Sequence, residues 1–273
     1  MRIRRPSRSL SSALRPARPD WDSEVASGLA LAGFLSLVFV GFTLLAMGPL
    51  VAIDAYFNLS PPPPAWVPVL HLLDRIGQRL VCMPILTVAV LLACRRQRSW
   101  RPAALAALST FTLNCVVGAL KLGFGRAEPR TGDPHFFSGG IAYPSGHTAN
   151  IVLVYGLAVY LLARYNHLRR RTQLIAWSVV ATLSVVMVVV SMQENWHWFA
   201  DLIAGLLVGG VMLQLTVVAD AAVPLNVFRA GWREGLRRIW LALRGRAPAP
   251  APGPVEVPRE RVLVADPPGE HVG

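Results

Sequence analysis

Six long apolar runs alternate along the chain with short polar or turn-rich segments. The first covers about Val25 to Ile53 without a charge. Asn58, Leu59 and Ser60 then lead into four prolines, Pro61 to Pro64, where a helix cannot continue. The second run, about Val67 to Cys94, is polar in its first half (His71, Asp74, Arg75, Gln78, Arg79) and apolar in its second. The third covers about Pro102 to Phe124, and a loop rich in Gly, Pro and Phe follows to Ser145. The last three cover about Gly146 to Ala163, Gln173 to Met192 and Trp196 to Ala219. A hydrocarbon layer ~30 Å thick takes roughly 20 apolar helical residues to cross. The pattern therefore predicts an all-α polytopic membrane protein, a bundle of six transmembrane helices over residues 25–220.

Composition agrees. The chain of 273 residues is 53% hydrophobic and only 15% charged, against about a quarter charged in soluble domains. The net charge of +12 is a matter of topology. Twenty of the 27 Lys and Arg fall in four short segments: the N-terminal arm, Arg95 to Arg101, Arg164 to Arg171, and Arg229 to Arg246. Six spans put all four on one side, and the positive-inside rule makes that side cytoplasmic. The expected location is the cell membrane, with both termini cytoplasmic and the loops after spans one, three and five outside. The basic residues are too dispersed for a nucleic-acid surface, so no nucleic-acid partner is expected.

Residues 1–24 read as a basic, disordered cytoplasmic arm. It has no short apolar core followed by a cleavage site, so no cleavable leader is expected. Residues 226–246 place Phe228, Trp232, Leu236, Trp240 and Leu243 at helical spacing, with Arg229, Arg233 and Arg237 on another face. That pattern predicts an interfacial helix whose arginines partner anionic membrane lipids on the cytoplasmic side. The Pro-rich stretch 247–273 is expected to be disordered. Cys82, Cys94 and Cys115 match no metal spacing and read as small packing residues.

Three groups on the outward side carry chemistry. Lys121 to Arg130 ends span three, Tyr143-Pro144-Ser145-Gly146-His147 opens span four, and Trp196-His197-Trp198-Phe199-Ala200-Asp201 opens span six. Lys121 and Arg126 supply positive charge, and an arginine can hold phosphate oxygens in a bidentate fork. Ser145 and Gly146 precede a helix N-terminus, where free N–H groups receive anions. His197 and Asp201 are four apart, which places them on one helix face. A carboxylate there can keep one ring nitrogen protonated and leave the other free to attack. Asp201 sits inside an apolar run, where an ionisable group is a functional candidate by default.

Together the groups resemble the type 2 phosphatidic acid phosphatase superfamily, whose pattern is Lys, six residues, Arg-Pro; then Pro-Ser-Gly-His; then Ser-Arg, five residues, His, three residues, Asp. The resemblance implies His197 as a nucleophile that becomes phosphohistidine, Asp201 as its orienting group, and His147 as the general acid. It also implies that Lys121, Ser145 and Gly146 bind phosphoryl oxygens, and that neither metal nor cofactor takes part. Two motif arginines are absent: Glu128 and Ser191 hold their places. Arg126 stands two residues before the first, and Arg79 of span two is expected to supply the charge missing from the second. His71, Arg75 and Arg79 recur every four residues and predict a stripe facing the bundle, with Asp74 and Gln78 beside it.

The expected activity is hydrolysis of a lipid phosphate or pyrophosphate, polyprenyl pyrophosphate or a phosphatidic-acid-like lipid, in outward-facing loops. A lipid phosphotransferase using the same histidine and a non-catalytic lipid-binding relative are the alternatives. The sequence leaves the oligomeric state unknown.

Overall fold

The computed structural model describes residues 21–58 and 60–222. Residues 1–20 of the basic arm, the interfacial helix and the Pro-rich tail lie outside them, while residues 21–24, expected to be disordered, open the first helix. The described residues are helical with connecting turns and loops, and six helices are long and apolar enough to cross a membrane. The helices are α1 (Trp21–Ala46), α2 (Val51–Tyr56), α3 (Val67–Asp74), α4 (Arg79–Gln97), α5 (Arg101–Phe124), α6 (Gly146–Asn150), α7 (Gly156–Asn166), α8 (Arg170–Gln193) and α9 (Phe199–Ala222). A π-helical turn, Ile151–Tyr155, joins α6 to α7 in a single span.

The fourth span is the centre, with 67% of its apolar stretch buried against 17% for α1. α7 packs along α4, α6 along α9, and α1 along the other side of α9. The core includes Leu86, Ile151, Leu157, Leu161 and Met187. Large apolar side chains also cover the outside, among them Leu37, Leu80, Phe111, Leu122 and Val185. An apolar exterior of that extent suits lipid.

Three expected boundaries differ from the structure. The first apolar run is broken after Ala46. Leu50 N–H returns to the Leu45 carbonyl, Pro49 has no N–H to give, and the chain restarts as α2, carrying Asp54 inward. The second run also divides. After α3 a 3-10 turn, Arg75–Gly77, leads to extended Gln78 before α4 begins. The turn is pinned to the fourth span: Tyr155 donates to the Ile76 carbonyl (2.9 Å) and Asn150 to that of Gly77 (3.3 Å). Finally, α9 begins at Phe199, so His197 stands in the loop before it. Among the cysteines, Cys82 and Cys94 are buried packing residues as expected, whereas Cys115 is exposed.

Two close approaches set the site. A Cβ on Gly205 would lie 2.1 Å from Thr148 Oγ1 and 2.4 Å from the Ser145 carbonyl, and one on Gly209 would lie 2.7 Å from the Ala149 carbonyl. Only glycine lets α6 lie this close to α9. The contact is then held by Ser145 N–H on the Asp201 carbonyl (2.9 Å) and Thr148 Oγ1 on the Leu202 carbonyl (3.0 Å).

Candidate active site

A cavity of about 860 Å³ opens at the end of the bundle where α3, α4, α5, α6 and the loop before α9 converge. His147 and His197 both line it, with Lys121 and Gly146. Five of the eight expected site residues thus line one cavity, Arg79 among them from α4.

His197 is placed by the first turn of α9. Asp201 Oδ2 accepts the Trp198 N–H (2.9 Å), a carboxylate in the first turn reaching back to the residue that caps the helix. The same oxygen lies 3.6 Å from His197 Nδ1, which is buried and has no hydrogen-bond partner. The pair meets because a loop folds back over the helix start, and not because both residues occupy one helical face. Trp198 anchors the loop from the other side, donating its indole N–H to the Ala127 carbonyl (2.8 Å).

His147 enters from the first turn of α6. Gly77 packs against its ring so closely that a Cβ there would be 2.9 Å from His147 Cβ and Cδ2. Its Nε2 faces Asp74 Oδ2 at 3.5 Å, and Gln78 donates to the same oxygen (3.0 Å). Asp74, beside the expected arginine stripe, has the histidine for its neighbour.

Arg126 is in a different place from the one expected. It is fully buried behind the cavity wall. One guanidinium nitrogen binds Asp201 Oδ1 (2.7 Å), another binds Asp54 Oδ2 (2.5 Å), and Nε donates to the Pro134 carbonyl (2.9 Å). The Phe136 ring lies 4.7 Å from it. All three guanidinium nitrogens bond to the protein, and the buried side chain does not reach the cavity where a phosphate would lie. The cause is Gly125, which closes α5 in the left-handed conformation (φ 51°) and turns the chain inward just before Arg126. Ser145 is also buried, its N–H spent on Asp201, and of that pair only Gly146 reaches the cavity. Lys121 is in the wall and donates to the Ile141 carbonyl.

The arginines of the second run do reach the cavity, though not as a continuous helical stripe. His71, Arg75 and Arg79 come from α3, the 3-10 turn and α4, and all three line it. Arg79 donates to the Asn114 side-chain carbonyl. No Asp74–arginine ion pair forms among the described residues. Glu128 and Ser191, at the two positions of the absent motif arginines, are in the wall as well, and so is Glu194.

Sequence reasoning missed Asp54, which closes the network behind Asp201. Its Oδ1 accepts the Ala200 N–H (2.8 Å), so it also fixes the start of α9. Burial pushes its carboxyl up from the ordinary range, against the opposing effect of Arg126. An ionisable residue at the edge of an apolar run was the available signal. Asp74 and Asn114 carried no signal of their roles, since their partners lie far away in sequence.

Comparison with known proteins agrees with this geometry. Residues 102–222 match the family model described as the PAP2 superfamily, which bears out the resemblance read from the motifs. The structure is similar to a crystal structure described as the first transmembrane PAP2 type phosphatidylglycerolphosphate phosphatase from Bacillus subtilis. The TM-score is 0.62 and the identity 17%, over 71% of this chain and 98% of that one. At that identity the likeness is one of fold. No curated protein matches the chain. The chain is a multi-pass membrane protein with the fold of a PAP2-type phosphatase.

Proposed function

We propose that the protein is a lipid phosphate phosphatase that works through a phosphohistidine on His197. The observation that carries this reading is the placing of two histidines on one cavity wall, His197 backed by Asp201 and His147 backed by Asp74, with Lys121, Arg75 and Arg79 around the same space.

The chemistry follows from these positions. Asp201 takes the Nδ1 side of His197 and leaves Nε2 to attack phosphorus in line. The 3.6 Å gap is wider than a hydrogen bond, and catalytic contacts of this kind tighten with substrate in place. His147 donates a proton to the leaving oxygen, then takes one from the water that hydrolyses the phosphohistidine. Lys121, Arg75 and Arg79 balance the charge on the phosphoryl oxygens, a role worth several kcal/mol in a water-poor site. The buried set of Asp54, Arg126 and Asp201 has two carboxylates to one guanidinium. That excess favours the positive charge His197 gains as it forms its bond.

The arginine distribution supports an outward-facing cavity. Arg79 is in the wall and Arg95 to Arg101 lie a helix length away, about 25 Å at 1.5 Å per residue. The described basic clusters, Arg95 to Arg101 and Arg164 to Arg171, thus lie at the opposite ends of their spans from the cavity, the end that the positive-inside rule assigns to the cytoplasm.

The test is phosphate release by purified protein from a panel of lipid phosphates, with a parallel search for labelled phosphate trapped on the chain. His197→Ala should abolish both while the protein stays folded. Label found on a residue other than His197 would reject the assignment.

A further inference from the structure

The cavity holds more negative charge than a phosphate site calls for. Three carboxylates, Asp74, Glu128 and Glu194, face three cations, Arg75, Arg79 and Lys121. With neutral histidines the wall has no net positive charge. A phosphomonoester brings a charge of about −1.5 to −2 near neutrality, and a diester brings one. Asp74 has a partner in His147 and Glu128 acts on the charge of Lys121, but Glu194 has no catalytic neighbour that accounts for it.

Glu194 is the more telling. It is 8% exposed, and its Oε1 is buried without a hydrogen-bond partner. The His71 Nε2 atom stands 3.6 Å away, too far to bond. A buried carboxylate oxygen left without a partner loses its solvation and gains nothing in return, so a donor is expected to fill it in the working state. Burial also pushes the Glu194 carboxyl up from its ordinary value, the neighbouring Asp74 adding to the effect. A hydroxyl or ammonium donor suits such a group, and a second anion does not. Glu194 and His71 are, moreover, shared between the main cavity and an adjoining one of about 330 Å³ walled by Pro61, Pro62, Val67, Leu70 and Arg130. A group attached to the phosphorus has room to extend past Glu194 into that space.

We infer that Glu194 and Glu128 accept hydrogen bonds from hydroxyl or ammonium groups next to the reacting phosphorus, and that, beside the monoesters of the phosphatase reading, the same site takes and prefers a lipid phosphodiester with a polyol or amine head group. The inference rests on the reading of this cavity as a phosphoryl-transfer site. His197 Nε2 forms the N–P bond as the P–O bond to the lipid alcohol breaks, and His147 protonates the departing lipid oxygen. Water then cleaves the N–P bond, returns its proton to His147 and releases the head-group phosphate.

The experiment uses the full chain in detergent with short-chain phosphatidylglycerol, phosphatidylethanolamine and phosphatidylinositol against the matched phosphatidate. The expected result is a kcat/KM for at least one diester about tenfold or more above that for phosphatidate. Glu194→Gln and Glu128→Gln should each lower the diester-to-monoester ratio about tenfold or more, the range for a hydrogen bond to a charged acceptor. If the buried Glu194→Gln variant does not fold, the half-buried Glu128 carries the same test. A faster monoester, or a ratio unmoved by both substitutions, overturns the inference and leaves the phosphatase reading intact. Monoester turnover that rises with free glycerol or inositol, with diesters inert, puts the donor on an acceptor alcohol and also overturns it. No turnover of any substrate and no label on His197 would sink the phosphatase reading, and the inference with it.

Discussion

Two buried arginine–carboxylate clusters stand at opposite ends of the bundle. At the cavity end Arg126 joins Asp54 and Asp201, all with side chains at 0% exposure. At the far end Arg101 Nε binds Asp220 Oδ1 (2.7 Å), and a second guanidinium nitrogen binds the Asp220 carbonyl. Tyr160 and Tyr165 donate to the same carboxylate. Both clusters tie helices that are distant in sequence, and both are sealed from solvent. They differ in charge and in what they touch. The far cluster pairs one cation with one anion and ends there. The near cluster carries a surplus carboxylate, and Asp201 reaches on to His197. The same bond type thus closes a bundle in one place and reaches a cavity histidine, the proposed nucleophile, in the other.

The sharpest way to break this contrast is to neutralise one carboxylate in each cluster. Asp201→Asn should lower kcat roughly 10³- to 10⁴-fold, the scale seen when the carboxylate of a nucleophile–histidine system becomes an amide. Asp220→Asn should leave kcat per folded molecule unchanged and lower stability by about 3–5 kcal/mol, since Arg101 is left as an uncompensated buried charge. Turnover and thermal unfolding of the purified variants decide it. A comparable kcat loss in Asp220→Asn would erase the distinction.

Removal of the cations comes next. Arg126→Met leaves two buried carboxylates facing each other, whereas Arg101→Met leaves one. Each should cost about 3–5 kcal/mol or more, Arg126→Met the more of the two. Only Arg126→Met should also lower kcat, by ~10- to 100-fold, through loss of the Asp201 position that acts on His197. An Arg126→Lys variant that recovers stability but not kcat would show that the guanidinium fork sets the geometry. Equal kcat losses in the two methionine variants would remove the positioning role.

These partners also mark what the sequence could and could not disclose. His197, Asp201, His147 and Lys121 were legible because short spacings and a family pattern name them, and the six spans because length and hydropathy do. Arg126 was expected at the phosphate because it stands two residues before the absent motif arginine, while Gly125 turns the backbone inward just ahead of it. The stripe from His71 to Arg79 was read as a helix because its period is helical. Side-chain bonds from Tyr155 and Asn150 to the turn break that helix, and nothing near residues 75–77 announces them. Arg101 was legible only as one arginine in a basic cluster, since Asp220 stands 119 residues away. Local spacing names the candidate groups; the buried pairs beside them depend on contacts made only in the folded bundle.

A cation that is exposed in the cavity should behave unlike either buried arginine. Arg79→Ala should lower kcat about 10- to 100-fold if it holds the transferring phosphoryl group, with stability changed by no more than about 0.5 kcal/mol. Arg79→Lys should recover part of the rate, the charge without the fork. Full turnover in Arg79→Ala, or a loss that tracks unfolding, would leave Lys121 and Arg75 as the cavity's cations.

The smallest effect separates two tyrosines, one beside each cluster. Tyr143 packs on Phe136 next to Arg126 and bonds to Thr43 Oγ1 (2.6 Å). Thr43 already donates to the Phe39 carbonyl (2.8 Å), so Tyr143 is the donor in this bond. Burial pushes its phenol up to about 12, and it remains a neutral donor throughout the working range. Tyr160 donates instead to Asp220 Oδ2 (2.7 Å), whereas Arg101 and Tyr165 both act on Oδ1. Tyr143→Phe removes a bond between neutral groups and leaves Thr43 with its backbone partner, a loss of about 0.5–1.5 kcal/mol. Tyr160→Phe removes a bond to a carboxylate and strips Oδ2 of its donor, a loss of about 1.5–3 kcal/mol. Neither phenol touches the reacting atoms, so the readout is thermal unfolding of each variant beside the wild type. Tyr160→Phe should be the less stable by about 1 kcal/mol. The reverse order would mean that packing around Tyr143, and not the charge of its neighbour's acceptor, governs the two sites.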